Sequence, residues 1–365
     1  MPTAPCSGGP AVPGRAETDS RGGRSAASRR HEDALTFGRR GEENSMATYG
    51  SETGGKVPQS EFTYRSRDGL TLFGRAWGDP AAPGLPVVCL PGMTRNSKDF
   101  APLAEHLART RRVIALDLRG RGRSAYAAVA TYNPGTEADD VVQALAALDI
   151  PRALFIGTSR GGLVMFVLAM THPNLIGGAV FNDIGPVIES AGLARIASYI
   201  GKPVPASWAD TVTRFKAEQG SQFPSLDATG WGRFARQVYR EENGAPAIDY
   251  DPALEVAFRT FDPRIPLPTA WPAFDALAAV PVMVVHGGLS DILSGATVAE
   301  MQRRRPDLDL LTIPDEGHAP LLWDRIAQTR IAAFLDRADP PAKPAVKGLL
   351  GRAIAFFARL KFRLT

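Results

Sequence analysis

Short apolar runs alternating with amphipathic stretches organise most of this chain. Polar and apolar positions alternate over residues 62–66 and 70–77, and the turn signal Asp68-Gly69 between them predicts a β-hairpin. Brief, almost wholly apolar runs follow at 86–90, 112–118, 153–157, 176–181, 281–286 and 308–313. Each has the length of a strand buried on both faces. Between them, residues 99–108, 137–148, 161–172, 296–305 and 321–336 carry helical apolar spacing. Strands alternating with helices predict an α/β fold, a mostly parallel sheet flanked by helices. The alternation stops at 186–271, where helix-like segments rich in Trp, Phe and Arg stand between two strands. The expected layout is a core of 61–185 and 272–338 with an inserted all-helical segment at 186–271. No internal repeats are visible.

The flanks differ in character. Residues 1–60 are mostly Gly-, Arg-, Ser- and Pro-rich and show no apolar period before the first strand. Such a segment buries too little apolar surface to offset its ordering entropy and is expected to be a disordered extension. Met46 is a candidate true start, and a transit peptide is the weaker alternative. At the other end, residues 341–365 hold Lys and Arg but no acidic residue. On a helical wheel Leu349, Ala353, Phe356, Phe357, Leu360 and Leu364 share a face flanked by Arg352, Arg359 and Arg363. This basic amphipathic helix reads as an element for peripheral membrane contact or partner binding, against a helix docked on the body.

Composition narrows the classes. A length of 365 residues suits one large domain with an insertion and tails, and 44% hydrophobic residues is ordinary for a globular chain. A net charge of +4 calls for no nucleic acid partner. Cys6 and Cys89 form no metal-type spacing and no expected disulfide. With no secretory signal and no run of roughly 18 apolar residues, the expected location is cytoplasmic.

The strongest chemical signal is Gly157-Thr158-Ser159-Arg160-Gly161-Gly162. It fits G-x-S-x-G between a predicted strand and a predicted helix, the context in which a strained turn exposes a nucleophilic serine. The competing reading is a glycine-rich turn whose serine merely caps the helix. Four further pieces stand in order along the chain. Leu90-Pro91-Gly92-Met93 follows a buried strand. Asp117-Leu118-Arg119-Gly120-Arg121-Gly122-Arg123-Ser124 follows the next. His286-Gly287-Gly288-Leu289-Ser290-Asp291 follows the strand after the insertion, and Gly317-His318 follows the last strand.

Together these motifs resemble the α/β-hydrolase family over roughly residues 62–336. The resemblance implies an α/β-hydrolase fold with a helical cap and a serine hydrolase triad of Ser159, Asp291 and His318. Asp183, ending the strand after the Ser159 helix, is the rival acid, since some relatives place it there. The resemblance also implies an oxyanion hole from the backbone N–H groups of Met93 and Arg160, and a structural role for the Asp117–Ser124 loop. Asn96 and Phe100 are pocket candidates by family position. The Arg160 side chain reads either as a partner for a substrate carboxylate or as a solvated group. Trp208, Phe215, Trp231, Phe234 and Tyr239 read as lining an acyl pocket under the cap, or as packing the cap itself. The implied activity is hydrolysis of a small-molecule acyl ester through an acyl-enzyme, with no cofactor and no metal. Carbon–carbon bond, lactone and thioester hydrolysis are the alternatives, and a non-catalytic ligand-binding scaffold is the other class.

Overall fold

The computed structural model describes residues 57–259 and 261–340. The 1–56 part of the extension, with Cys6 and Met46, and the amphipathic segment at 341–365 lie outside the described residues.

The chain opens with an antiparallel hairpin, β1 (Gln59–Arg65) and β2 (Thr71–Trp77), turned at Gly69 with φ +85°. β1 starts at Gln59, ahead of the expected boundary at 61. Its first residues are polar and exposed, and backbone pairing with β2 holds them, so hydropathy carried no sign of them. Then come β3 (Val87–Leu90), α1 (Ala101–Leu107), β4 (Val113–Asp117), α2 (Pro134–Ala147), β5 (Ala153–Thr158), α3 (Arg160–Thr171) and β6 (Ile176–Asn182). Next are α4 (Ser190–Tyr199), α5 (Trp208–Gln219), α6 (Ala228–Val238), β7 (Tyr239–Glu242), β8 (Ala245–Ile248) and α7 (Trp271–Asp275). The chain closes with β9 (Val282–Gly287), α8 (Gly295–Arg304), β10 (Asp309–Ile313) and α9 (Arg325–Ala338).

Eight strands form one sheet in the order β1-β2-β4-β3-β5-β6-β9-β10. β2 runs antiparallel to both β1 and β4, and every other pairing is parallel. Alternation within the apolar strands explains the layering. Val88 and Leu90 of β3 face a core built with α2, α3 and α8, whereas Val87 and Cys89 face a second core built with α1 and α9. Side chains of a strand alternate between faces, so a run apolar at every position has helices on both sides.

The segment between β6 and β9 is not all helical, as the sequence had suggested. β7 and β8 form a small antiparallel hairpin. Asn243 and Gly244 both take positive φ, 52° and 81°, as a two-residue hairpin turn requires. The polar flanks Arg240-Glu241-Glu242 hid the alternation. An aromatic cluster holds this segment together: Phe215 packs edge-on against Trp231, Phe234 and Tyr239. The last helix starts at Arg325, later than the expected 321, because the Asp324 side chain caps it by accepting from the Ala327 N–H. None of the described helices is long and apolar enough to cross a membrane.

Candidate active site

β3, β5, β6, β9 and β10 run parallel, so the loops leaving their C-terminal ends converge on one edge of the sheet. The sheet order reverses around β3, with β4 on one side and β5 on the other. Crevices of α/β sheets form at such points.

Ser159 stands between β5 and α3 at φ 50° and ψ −111°, a conformation costing on the order of 1–3 kcal/mol. Its neighbours permit the turn. A Cβ on Gly161 would lie 2.1 Å from the Leu90 carbonyl oxygen, and one on Gly157 would lie 2.7 Å from the Gly161 backbone. The Ser159 side chain makes no capping bond to the helix. Its Oγ lies 2.8 Å from His318 Nε2 instead. His318 Nδ1 lies 2.8 Å from Asp183 Oδ2.

The carboxylate that meets His318 is therefore that of Asp183, the rival candidate, and not that of Asp291. Asp183 is wholly buried at the end of β6, and the His318 side chain is 7% exposed. Asp183 Oδ1 accepts from the Gly287 N–H at 2.8 Å, and Oδ2 accepts from the Ser290 hydroxyl at 2.5 Å. Three donors thus converge on one buried carboxylate. Asp291 turns toward α4, where Arg195 holds both its oxygens at 2.6 and 2.8 Å. Burial raises the Asp291 pKa, but the hydrogen bond and charge of Arg195, with the charge of His318, together outweigh it and leave the carboxyl below its usual range.

The loop carrying His318 is tied to the segment between β6 and β9. The Gln222 side-chain Oε1 accepts from the His318 N–H at 2.8 Å, and its carbonyl accepts from the Gly317 N–H at 2.6 Å. A Cβ on Gly317 would lie 2.1 Å from Gln222 Oε1. No motif points to Gln222 in the sequence. Two residues before His318, burial and the nearby Asp324 and Asp315 carboxylates raise the Glu316 pKa to about 7 against a bond from the Leu321 N–H.

A cavity of about 110 Å³ opens over Ser159 and His318. Met93 and Phe100 line it, with Ile196, Phe215, Phe234 and Leu321. Arg95 and Asp99, paired at 2.6 Å, add charge, and Gln219 and Gln237 add amides. Two expected pocket groups sit elsewhere. Asn96 is buried, caps a short 3-10 turn and donates to Asp249 at 2.8 Å. The Arg160 guanidinium points away from the cavity, donating to Glu137 at 2.6 Å and to the Tyr132 carbonyl at 2.9 Å. Of the aromatic candidates, Phe215 and Phe234 line the cavity, Trp231 and Tyr239 pack the cluster, and Trp208 lies under the Arg236 guanidinium.

The Asp117–Ser124 loop is braced by its own side chains. Asp117 accepts from the Ser97 and Arg123 N–H groups, and Arg119 grips both Asp140 and Asp68. Arg121 and Arg123 bond Glu137 and Glu61. Each arginine of the loop is thus held by a carboxylate, as a structural role for the loop requires.

A buried carboxylate bonded to an imidazole, itself bonded to a hydroxyl on a strained turn, can activate that hydroxyl as a nucleophile. Comparisons with known proteins show which family the fold belongs to. A 3-hydroxybutyrate-oligomer hydrolase of Cupriavidus necator is 35% identical over 273 residues, covering 70% of this chain and 89% of that protein. An sn-1-specific diacylglycerol lipase of Danio rerio is 26% identical, covering 64% and 72%. Among solved structures, an α/β hydrolase of Novosphingobium aromaticivorans superposes with a TM-score of 0.71 at 39% identity, covering 76% of this chain and 98% of that one. The family model for the α/β hydrolase fold matches residues 86–325, so this chain belongs to the α/β-hydrolase-fold family.

Proposed function

We propose that this protein is a serine ester hydrolase with Ser159 as nucleophile, His318 as general base and acid, and Asp183 as the acid that orients the imidazole. The observation that carries the reading is the unbroken chain of two 2.8 Å hydrogen bonds from Ser159 through His318 to buried Asp183. His318 Nε2 takes the Ser159 proton as Oγ attacks an ester carbonyl. Asp183 keeps the Nδ1–H tautomer and stabilises the imidazolium. The tetrahedral oxyanion is held by the N–H groups of Met93 and Arg160, one donor being worth about 3–4 kcal/mol. His318 then protonates the leaving alcohol, and water attacks the acyl-enzyme by the reverse route. The sequence of steps uses no cofactor. Residues 186–271 act as the cap that covers the cavity.

The cavity takes a short acyl group, apolar along its walls and able to meet hydrogen-bonding groups at Gln219, Gln237 and Arg95. Together with the 35% identical relative, this favours short hydroxyalkanoate esters as first substrates. Hydrolysis of p-nitrophenyl acetate and of the linear 3-hydroxybutyrate dimer is the test, with fluorophosphonate labelling in parallel. Wild type hydrolyses an ester and is labelled at Ser159, and Ser159→Ala loses both. Absence of both labelling and hydrolysis in wild type would leave a binding scaffold of the same fold, and hydrolysis retained by Ser159→Ala would overturn Ser159 as the nucleophile.

A further inference from the structure

A second buried charge cluster lies behind the two amides assigned to the oxyanion. Glu137, in the first turn of α2, is fully buried. Its Oε1 accepts from Arg121 Nη1 at 2.8 Å, and its Oε2 accepts from Arg160 Nε at 2.6 Å. Arg121, also fully buried, continues to the oxyanion loop, where its Nε donates to the Met93 carbonyl at 2.8 Å. The same guanidinium donates to the Arg119 carbonyl at 2.6 Å and stands over the Tyr132 ring. Arg160 carries the first amide of α3 and is tethered at its far end to the Tyr132 carbonyl.

One carboxylate therefore connects, through one guanidinium on each side, the two residues that flank the reacting carbonyl. We propose that Glu137, Arg121 and Arg160 form a brace of positioning residues that fixes the spacing of the Met93 and Arg160 N–H groups. The proposal rests on the ester-hydrolase reading above, which assigns those amides. Oxyanion stabilisation depends on donors held near 3 Å from the developing charge, and a shift of about 0.5 Å erodes it. Met93 sits on a loop, and a loop alone does not hold that tolerance. Charge-assisted bonds within a dry cluster, each end paired, supply the stiffness. Arg160 directly follows the nucleophile, and its side chain is spent on this brace rather than on substrate.

Glu137→Gln leaves the buried Arg121 and the partly buried Arg160 guanidiniums without a counter-charge and is a poor test of function. Arg160→Met removes one arm, leaves Glu137 paired with Arg121, and keeps the bulk of the aliphatic stem. In folded Arg160→Met, kcat for p-nitrophenyl acetate falls by about 10- to 100-fold, less than for outright loss of a donor, while KM stays within about twofold. Affinity for a trifluoromethyl ketone, which adds to the Ser159 hydroxyl and mimics the oxyanion, falls by the same factor as kcat/KM. Arg160→Lys recovers part of both, since its ammonium still reaches Glu137. A purely structural role would lower the melting temperature and leave kcat and ketone affinity intact. Wild-type kcat and ketone affinity in folded Arg160→Met, with Ser159 labelled by fluorophosphonate, overturns the brace alone. Failure of wild type to label overturns the hydrolase reading and the brace with it.

Discussion

Exchanging Asp183 or Asp291 for asparagine separates two carboxylates that the chain presents at the ends of neighbouring strands. Asp183 is wholly buried and receives three donors: His318 Nδ1, the Ser290 hydroxyl and the Gly287 N–H. In Asp183→Asn an amide that turns its N–H toward His318 forces the proton onto Nε2. That tautomer cannot accept the Ser159 proton. The charge that stabilises the imidazolium is lost as well. Together these lower kcat by about 10³- to 10⁴-fold, or about 4–5.5 kcal/mol of barrier. Asp291 is a quarter exposed and paired with Arg195, itself 17% exposed. Solvent screens that pair, so Asp291→Asn costs about 1 kcal/mol of stability at most and changes kcat/KM less than about threefold. Steady-state hydrolysis of p-nitrophenyl acetate, with circular dichroism to confirm folding, reads both. A thousandfold loss in Asp291→Asn, beside Asp183→Asn with more than a tenth of wild-type activity, would refute the assignment of the acid.

Two further outcomes follow from the loop that carries His318. Gln222→Ala removes the acceptor of the His318 N–H. It should lower kcat by about tenfold and destabilise the fold by about 1–3 kcal/mol in urea, the cost of a buried unsatisfied donor; an unchanged kcat would show that the loop keeps its place unaided. Burial, with the Asp324 and Asp315 carboxylates, raises the Glu316 pKa from 4.5 to about 7. The folded state therefore holds this proton more tightly than the unfolded state. The resulting stability is fully present below about pH 4.5 and is lost as pH rises through 7. Glu316→Gln should flatten that part of the melting-temperature profile between pH 4.5 and 8, and a profile identical to wild type would remove Glu316 as its source.

The sheet was legible because strands buried on both faces, such as 153–157, are apolar at every position. Ser159 and His318, which the structure brings within 2.8 Å, were legible because each stands beside glycine after an apolar strand: Gly157 and Gly161 around the first, Gly317 before the second. The acid was not. β6 and β9 pair side by side, so Asp183 and Asp291 stand close in space, and chain order does not say which one turns inward. One local cue does exist. Asp183 directly terminates a strand buried along its whole length, whereas Asp291 comes four residues after its strand, past exposed Leu289. The Asn243-Gly244 turn was equally visible, but the charged residues beside it masked the hairpin. The side-chain direction of Arg160 was beyond reach, since it depends on Glu137, 23 positions away.

With the carboxylate that meets His318 carried at the end of β6, the stretch after β9 has contacts of another kind. The Asp291 carbonyl receives the Gly192 N–H, the Ile292 carbonyl receives the Glu189 N–H, and the Asp291 carboxylate clasps Arg195. A position that could have served proton transfer has become a mooring for α4, whose Ile196 and Tyr199 form one wall of the cavity. Changes at Asp291 and Ile292, unlike changes at Ser290, should therefore act on which substrates are admitted more than on the chemistry itself.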